Sequence, residues 1–290
     1  MDSNKSGAKD TFFSRKKTIN CGGKLLTIDK PLVMGILNIT PDSFYDGGFY
    51  DSETVQLEQT QKMLDEGADI IDIGAVSTRP GAKEVSKEEE LKKIVSVIEL
   101  LLKNFPEIII SVDTYRADVA KIAIESGAKI INDISGGIFD SKMFETVADL
   151  NVPYIMMHIK GTPENMQLNP DYSDVVKEII FFFSQQIDKL KKIGVNDVII
   201  DPGFGFGKTL ENNYELLKKL DNFKIFELPL LVGFSRKSMI NKILNTKPSE
   251  ALTGTTVLNT IALMNGANIL RVHDVKPAVE AIKIVNKGDF

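Results

Sequence analysis

From residue 30 onward the chain repeats one pattern: a short apolar run, a turn bearing Gly or Asp, then an amphipathic stretch of helical period. The apolar runs fall at 32–37, 70–73, 108–112, 129–131, 154–157, 198–200, 230–232 and 268–271, eight in all. They are rich in β-branched residues and do not alternate with polar ones, as strands of a parallel sheet covered on both faces should read. Ser86 and Ser173 stand where N-caps belong, ahead of two long amphipathic stretches. Gly67, Gly127, Gly194 and Gly266 stand where helices end and the next strand begins. Eight strand–helix units predict an α/β fold with parallel strands, most economically closed as a (β/α)8 TIM barrel. An open doubly wound sheet is the alternative.

Ahead of the first unit, 18–20 and 24–28 flank Cys21-Gly22-Gly23 and predict a short N-terminal hairpin plugging the bottom of the barrel. Residues 1–16 read as a flexible tail, and 17–290 as a single domain without an internal linker.

Composition narrows the functional classes. A net charge of -5, with no block of like charges, gives no electrostatic footprint for nucleic acid. No apolar run reaches the roughly 18 residues of a membrane span, and the N-terminal stretch lacks the apolar core of a signal peptide. The lone Cys21 has no partner in the chain for a disulfide, which fits a cytoplasmic protein. Any anionic substrate must therefore meet a local group of cations.

Barrel enzymes carry their sites at the carboxyl ends of the strands, and the polar residues crowd there. Strand ends lead into Asn38, into Gly74 with the segment 75–81, and into Asp113-Thr114, Asn132-Asp133 and Met157-His158. The last three lead into the motif 201–207, the segment 233–237, and Arg271-Val272-His273-Asp274. Asp133 and Asp274 can equally be helix caps, His158 reads as structural, and Arg236 as a surface or helix-start residue. Asp113 and Asp201 could instead be partners in a buried ion pair.

The segments GILNITPDSF, INDISGG, DPGFGFGK, FSRKS and RVHDV, in that order over about residues 30–285, resemble the dihydropteroate synthase family. The resemblance implies condensation of 6-hydroxymethyl-7,8-dihydropterin pyrophosphate with p-aminobenzoate, a transferase step of folate biosynthesis at a site that sulfonamides target. It implies that Asp201 accepts the paired N–H donors of the pterin, with Asp113 and Asn132 on other ring edges and Met157 and Lys237 against the ring. Arg79, Lys237, Arg271 and His273 would supply the positive charge for pyrophosphate and so carry the catalysis. Arg271 and His273, two apart at one strand end, would form a group separate from the pterin floor. Asn38 would be an oxygen ligand for Mg²⁺, since a chain with two histidines is poorly supplied for a His-rich metal site. Phe206 and the stem of Lys237 would face p-aminobenzoate, with Phe44, Thr78, Pro80 and Ser238 completing its pocket, Ser238 at a helix N-terminus. The family also implies a homodimer, for which 251–264 is a suitable stretch.

The chain departs from the family pattern at Ala75-Val76, where Gly-Glu is common, and at Tyr45, where a smaller residue is usual. Two other readings share part of this pattern. A pterin-binding or corrinoid methyltransferase barrel would need the Asp113–Asn132–Asp201 floor without the segments 77–80, 234–237 and 271–274. An aldolase would use Lys237 as a Schiff-base amine.

Overall fold

The computed structural model describes residues 18–39, 52–75, 85–168 and 170–288. The expected tail, and the expected site residues Phe44, Thr78, Arg79 and Pro80, lie outside these residues.

Strands β3 (Leu32–Asn38), β4 (Ile70–Gly74), β5 (Ile110–Asp113), β6 (Ile130–Asp133), β7 (Tyr154–Met157), β8 (Val198–Asp201), β9 (Leu231–Val232) and β10 (Ile269–Val272) form one sheet. Its order is β8-β7-β6-β5-β4-β3-β10-β9, and every pairing is parallel. The two ends meet: Ile200 and Leu230 form a parallel bridge, and Ile200 N–H donates to Pro229 O at 3.0 Å. The sheet is thus a closed barrel rather than an open doubly wound sheet. Several strands run one residue past the apolar run, to Asn38, Gly74, Asp113 and Asp201, because the backbone ladder continues whatever the side chain's polarity.

Helices α1 (Ser52–Asp65), α2 (Lys87–Asn104), α3 (Ala117–Glu125), α4 (Met143–Leu150), α5 (Val175–Lys192), α6 (Leu210–Lys218) and α8 (Leu252–Met264) connect the strands, with a short α7 (Ser238–Leu244) between β9 and α8, and α9 (Val275–Gly288) follows β10. Ser86 caps α2 as expected, accepting from Glu89 N–H at 3.2 Å. Asp174, not Ser173, caps α5: its carboxylate accepts from Val176 and Lys177 N–H at 3.1 and 3.0 Å. Ser173 instead donates to Glu178. Gly67, Gly127, Gly194 and Gly266 all take positive φ, the left-handed turn that returns the chain to the next strand.

The core has two layers. Outward-facing strand residues such as Val33, Ile71, Val112, Ile131 and Ile200 pack under the helices. Inside the barrel, Leu32, Met34, Ile70, Ile109, Ile130, Ile155, Ile199, Leu231 and Ile269 pack with Ile19, Cys21 and Ile28. Those last three belong to the hairpin β1 (Thr18–Cys21) and β2 (Lys24–Thr27) or follow it directly, so the hairpin does plug the bottom. Burial pushes the Cys21 thiol up to about 12, with Asp197 adding to the effect, so it stays protonated as a small apolar filler. Among the described residues no helix is long and apolar enough to cross a membrane.

Candidate active site

Side chains of a strand alternate between faces, so a residue two beyond an interior apolar residue also points inward. One such step above Ile70, Ile130, Ile155, Ile199 and Ile269 stand Asp72, Asn132, Met157, Asp201 and Arg271. Asp113 stands two steps above Ile109. A polar layer thus lies directly on the apolar plug, at the carboxyl mouth of the barrel.

Arg271 is the centre of this layer. Its Nε donates to Asp72 Oδ2 and its Nη2 to Asp113 Oδ2, both at 2.7 Å. Asn132 Nδ2 also donates to Asp72 Oδ2, at 3.1 Å. The expected separation of Arg271 from the pterin floor is therefore not what the barrel builds: the guanidinium is bonded into the floor through Asp113. Asp72 was not among the expected site residues. The signal for it was present, a carboxylate inside the apolar run IIDIG on the interior parity. It is fully buried, and among the described residues its Oδ1 has no partner.

Asp201 sits across the mouth, with Gly203 N–H donating to its Oδ1 at 2.8 Å. Lys237 arrives from the segment after β9, its Nζ donating to Phe204 O at 2.6 Å and standing 4.8 Å above the Phe206 ring. Met157 packs with Ile134, Ile159 and Met166, and with the partly exposed Tyr115, Phe139 and Phe206, as an apolar wall beside these groups. His273 Nδ1 lies 2.9 Å from Ser235 Oγ, a buried hydroxyl that fixes the ring and that motif reading alone passed over. Asn38 and Ser238 are exposed, at the end of β3 and the start of α7.

The other polar strand-end residues are structural. Asp133 has the outward parity and accepts from Ser135 N–H, Gly137 N–H and the Tyr154 hydroxyl, at 2.7, 2.8 and 2.7 Å. Asp274 pairs with Arg236 at 3.0 Å.

Burial shapes the charges of the mouth. It drives the Asp113 carboxyl up to about 7, with Arg271 opposing and Asp72 reinforcing. Burial also raises Asp201, against the pull of Lys237. It lowers Lys237 to about 8, against Asp201. Burial works against the Arg271 charge too, but Asp72 and Asp113 outweigh it, so the guanidinium stays charged. The mouth thus combines a flat apolar wall, acceptor carboxylates and held cations, suited to a flat heterocycle rich in N–H donors and to an anionic group beside it.

The fold and this mouth define a barrel enzyme that binds a small polar heterocycle. A family model described as pterin binding enzyme matches residues 34–273. The chain is 47% identical to a dihydropteroate synthase of Escherichia coli (strain K12) over 265 residues, 91% of this chain and 93% of the relative. Its fold is similar to a Yersinia pestis dihydropteroate synthase crystallised with a sulfonamide drug complex, with TM-score 0.88 and 45% identity over 94% of this chain and 99% of that one. It is also similar to a Xanthomonas albilineans dihydropteroate synthase with 4-aminobenzoic acid, with TM-score 0.88 and 37% identity over 94% of this chain and 98% of that one. The chain belongs to the pterin-binding enzymes and, within them, to the dihydropteroate synthases.

Proposed function

We propose that the polar layer at the barrel mouth is where the condensation of this family takes place, with the roles divided as follows. The reaction joins 6-hydroxymethyl-7,8-dihydropterin pyrophosphate to p-aminobenzoate and gives 7,8-dihydropteroate and pyrophosphate. The observation that carries the assignment is that Asp113, Asn132 and Asp201 share the interior face at the strand ends, with Arg271 bonded to Asp113 and Lys237 held beside them on Phe204 O.

Asp201 accepts the adjacent ring N–H and exocyclic amine of the pterin as a bidentate pair. Asp113 and Asn132 take the remaining ring edge, and Met157 and the Lys237 stem lie against the ring. Arg271, Lys237 and His273, together with Arg79, face the pyrophosphate. The aniline rests on Phe206 beneath the Lys237 ammonium. Phe44, Thr78 and Pro80 contribute to binding it, and Ser238 meets its carboxylate. The amine nitrogen attacks the methylene carbon, the C–O bond to pyrophosphate breaks, and the amine releases a proton. No side chain need act as a nucleophile, so the residues contribute by positioning and by opposing the leaving group's charge. That also separates this site from an aldolase, in which Lys237 would attack a carbonyl.

The donors at Asn38 fit a hard cation. A Cβ built on Gly74 would lie 4.0 Å from Asn38 Oδ1 and 3.8 Å from Asp113 Oδ2, so two side-chain oxygens border that point. Asn38 would hold Mg²⁺ there, and when bound the ion supplies positive charge to the departing pyrophosphate.

Mixing the protein with pterin pyrophosphate, p-aminobenzoate and Mg²⁺ should release pyrophosphate. Release that requires only the pterin, with no aniline consumed, would reject this reading.

The protein is further proposed to work as a cytoplasmic homodimer joined through α8. Val257, Ile261 and Met264 lie on one face of that helix and are 51%, 37% and 53% exposed, beside Ile243 and Leu244 of α7 at 55% and 50%. Ile261→Asp should weaken association at least about tenfold, since an aspartate must be desolvated in the contact. Sedimentation velocity over a dilution series measures it, and a wild-type protein monomeric at every concentration would exclude the dimer.

A further inference from the structure

The lysine that closes the motif 201–208 turns away from the mouth and into the protein. Lys208 is 3% exposed, and its Nζ lies 2.8 Å from Gly203 O, 3.0 Å from Phe206 O, 3.1 Å from His158 Nδ1 and 3.4 Å from His158 O. Burial holds Lys208 well below the usual lysine range, with Asp201 opposing; when protonated it offers only donors, and His158 Nδ1 then accepts with the ring proton on Nε2. Burial and the neighbouring Lys208 hold His158 well below the usual imidazole range, in keeping with a neutral ring. The ring packs edge-on to Phe182, with centroids 5.1 Å apart.

Between Gly203 and Gly207 every carbonyl is taken by a long side chain or a phenol. Gly203 O and Phe206 O go to Lys208, Phe204 O to Lys237, Gly205 O to Gln167 Nε2 at 2.8 Å, and Gly207 O to the Tyr172 hydroxyl at 2.8 Å. Gly203 has φ +70°, and a Cβ there would collide with the His158 carbonyl, so the turn lies directly on the end of β7. Its two ends do different things. At one, Gly203 N–H orients the Asp201 carboxylate. At the other, Phe206 presents its ring under Lys237. Lys208 is bonded to the carbonyls of both.

We propose that Lys208 is a positioning residue for the condensation. By gripping Gly203 O and Phe206 O with one buried nitrogen, it fixes the pterin carboxylate and the aniline-bearing ring relative to each other. The inference rests on the roles given above to Asp201 and Phe206. A purely structural lysine would affect only how much protein is folded. A positioning lysine alters both substrates' binding in the folded fraction.

The test is Lys208→Met in the full chain, with calorimetric binding of a bare pterin and steady-state kinetics for p-aminobenzoate, each scaled to the folded fraction. Both the pterin Kd and the KM for p-aminobenzoate should rise roughly tenfold, the scale of losing a buried hydrogen-bond network. Gln167→Ala, which frees only Gly205 O, should change either constant less than about twofold, because that bond is exposed. In an Asp201→Asn background Lys208→Met should weaken pterin binding no further, since the group it positions is gone. If Asp201→Asn alone leaves pterin binding intact, the reading of the floor fails. If it weakens binding while Lys208→Met changes neither constant, or Gln167→Ala matches it, the positioning role fails alone. Should Lys208→Met not fold, His158→Leu removes one acceptor and leaves the two loop carbonyls. Both constants should then rise together by about threefold, and unchanged constants would overturn the proposal.

Discussion

Arg271→Ala is expected to abolish measurable turnover and to weaken binding of a bare pterin as well. From sequence alone the second effect was not expected, because Arg271 reads with His273 as a pyrophosphate group. The structure bonds it to Asp113 and Asp72, and Asp72 in turn holds Asn132. Removing the guanidinium leaves two carboxylates whose side chains are 11% and 0% exposed without their cation. Losing one partner of a buried pair costs about 3–5 kcal/mol, so stability falls with activity.

The loss should also depend on pH. Asp113 in the folded protein titrates at about 7, above its ordinary 3.8, so the folded state holds an extra proton between those values. The stability this group contributes is therefore fully present below about 3.8 and fades as pH rises through about 7. Arg271 is what holds that value down, and without it the Asp113 carboxyl rises further. At pH 5.5 the carboxyl is protonated in both proteins and the variant loses less. At pH 8.5 only the wild type has a carboxylate paired with a cation, so the destabilisation by Arg271→Ala should be larger there. Urea unfolding at the two pH values, with calorimetry of a bare pterin, measures both effects. A folded variant with wild-type pterin affinity would return Arg271 to a separate pyrophosphate group.

Much of the fold is legible because one constraint repeats. A strand covered on both faces must be an uninterrupted apolar run, and each of the eight such runs contains at least half of a barrel strand. The mouth was legible to the extent that motif and parity agree: Asn132, Met157, Asp201 and Arg271 each lie two residues beyond an interior isoleucine. Parity applied strictly also finds Asp72 and sets Asp133 aside. Contacts between distant segments were not legible. Nothing local pairs Lys208 with His158, 50 residues earlier, or brings Arg271 to Asp72, 199 residues earlier. Such contacts follow from the ring of strands, in which β10 lies next to β3 and β3 next to β4. Ser173 shows the limit at the local scale: two capping residues stand in a row, and the carboxylate of Asp174 takes the amides.

Asp201→Asn is expected to separate binding from stability. The Gly203 N–H that donates to Oδ1 fixes how the amide must sit, with its oxygen toward Gly203 and its NH₂ toward the pterin. The pterin presents N–H groups at that edge, so donor meets donor where two charge-assisted bonds had been. Hydrogen bonds to a charged group are worth about 1.5–3 kcal/mol each. Bare-pterin affinity should therefore drop at least about thirtyfold, the equivalent of ~2 kcal/mol. Stability should hold or improve, because burial makes the ionised carboxylate costly and raises the Asp201 pKa. A neutral amide of the same shape avoids that cost. A second consequence falls on Lys237, whose ammonium titrates at about 8 with Asp201 supporting its charge. Without that carboxylate the lysine should lose its proton at lower pH, and the alkaline limb of residual turnover should move downward. Calorimetry, thermal unfolding and a pH–rate profile read the three effects. Unchanged pterin affinity in a folded variant would remove Asp201 from the floor. Lost affinity with lost stability would mean that the carboxylate holds the barrel mouth together rather than the substrate.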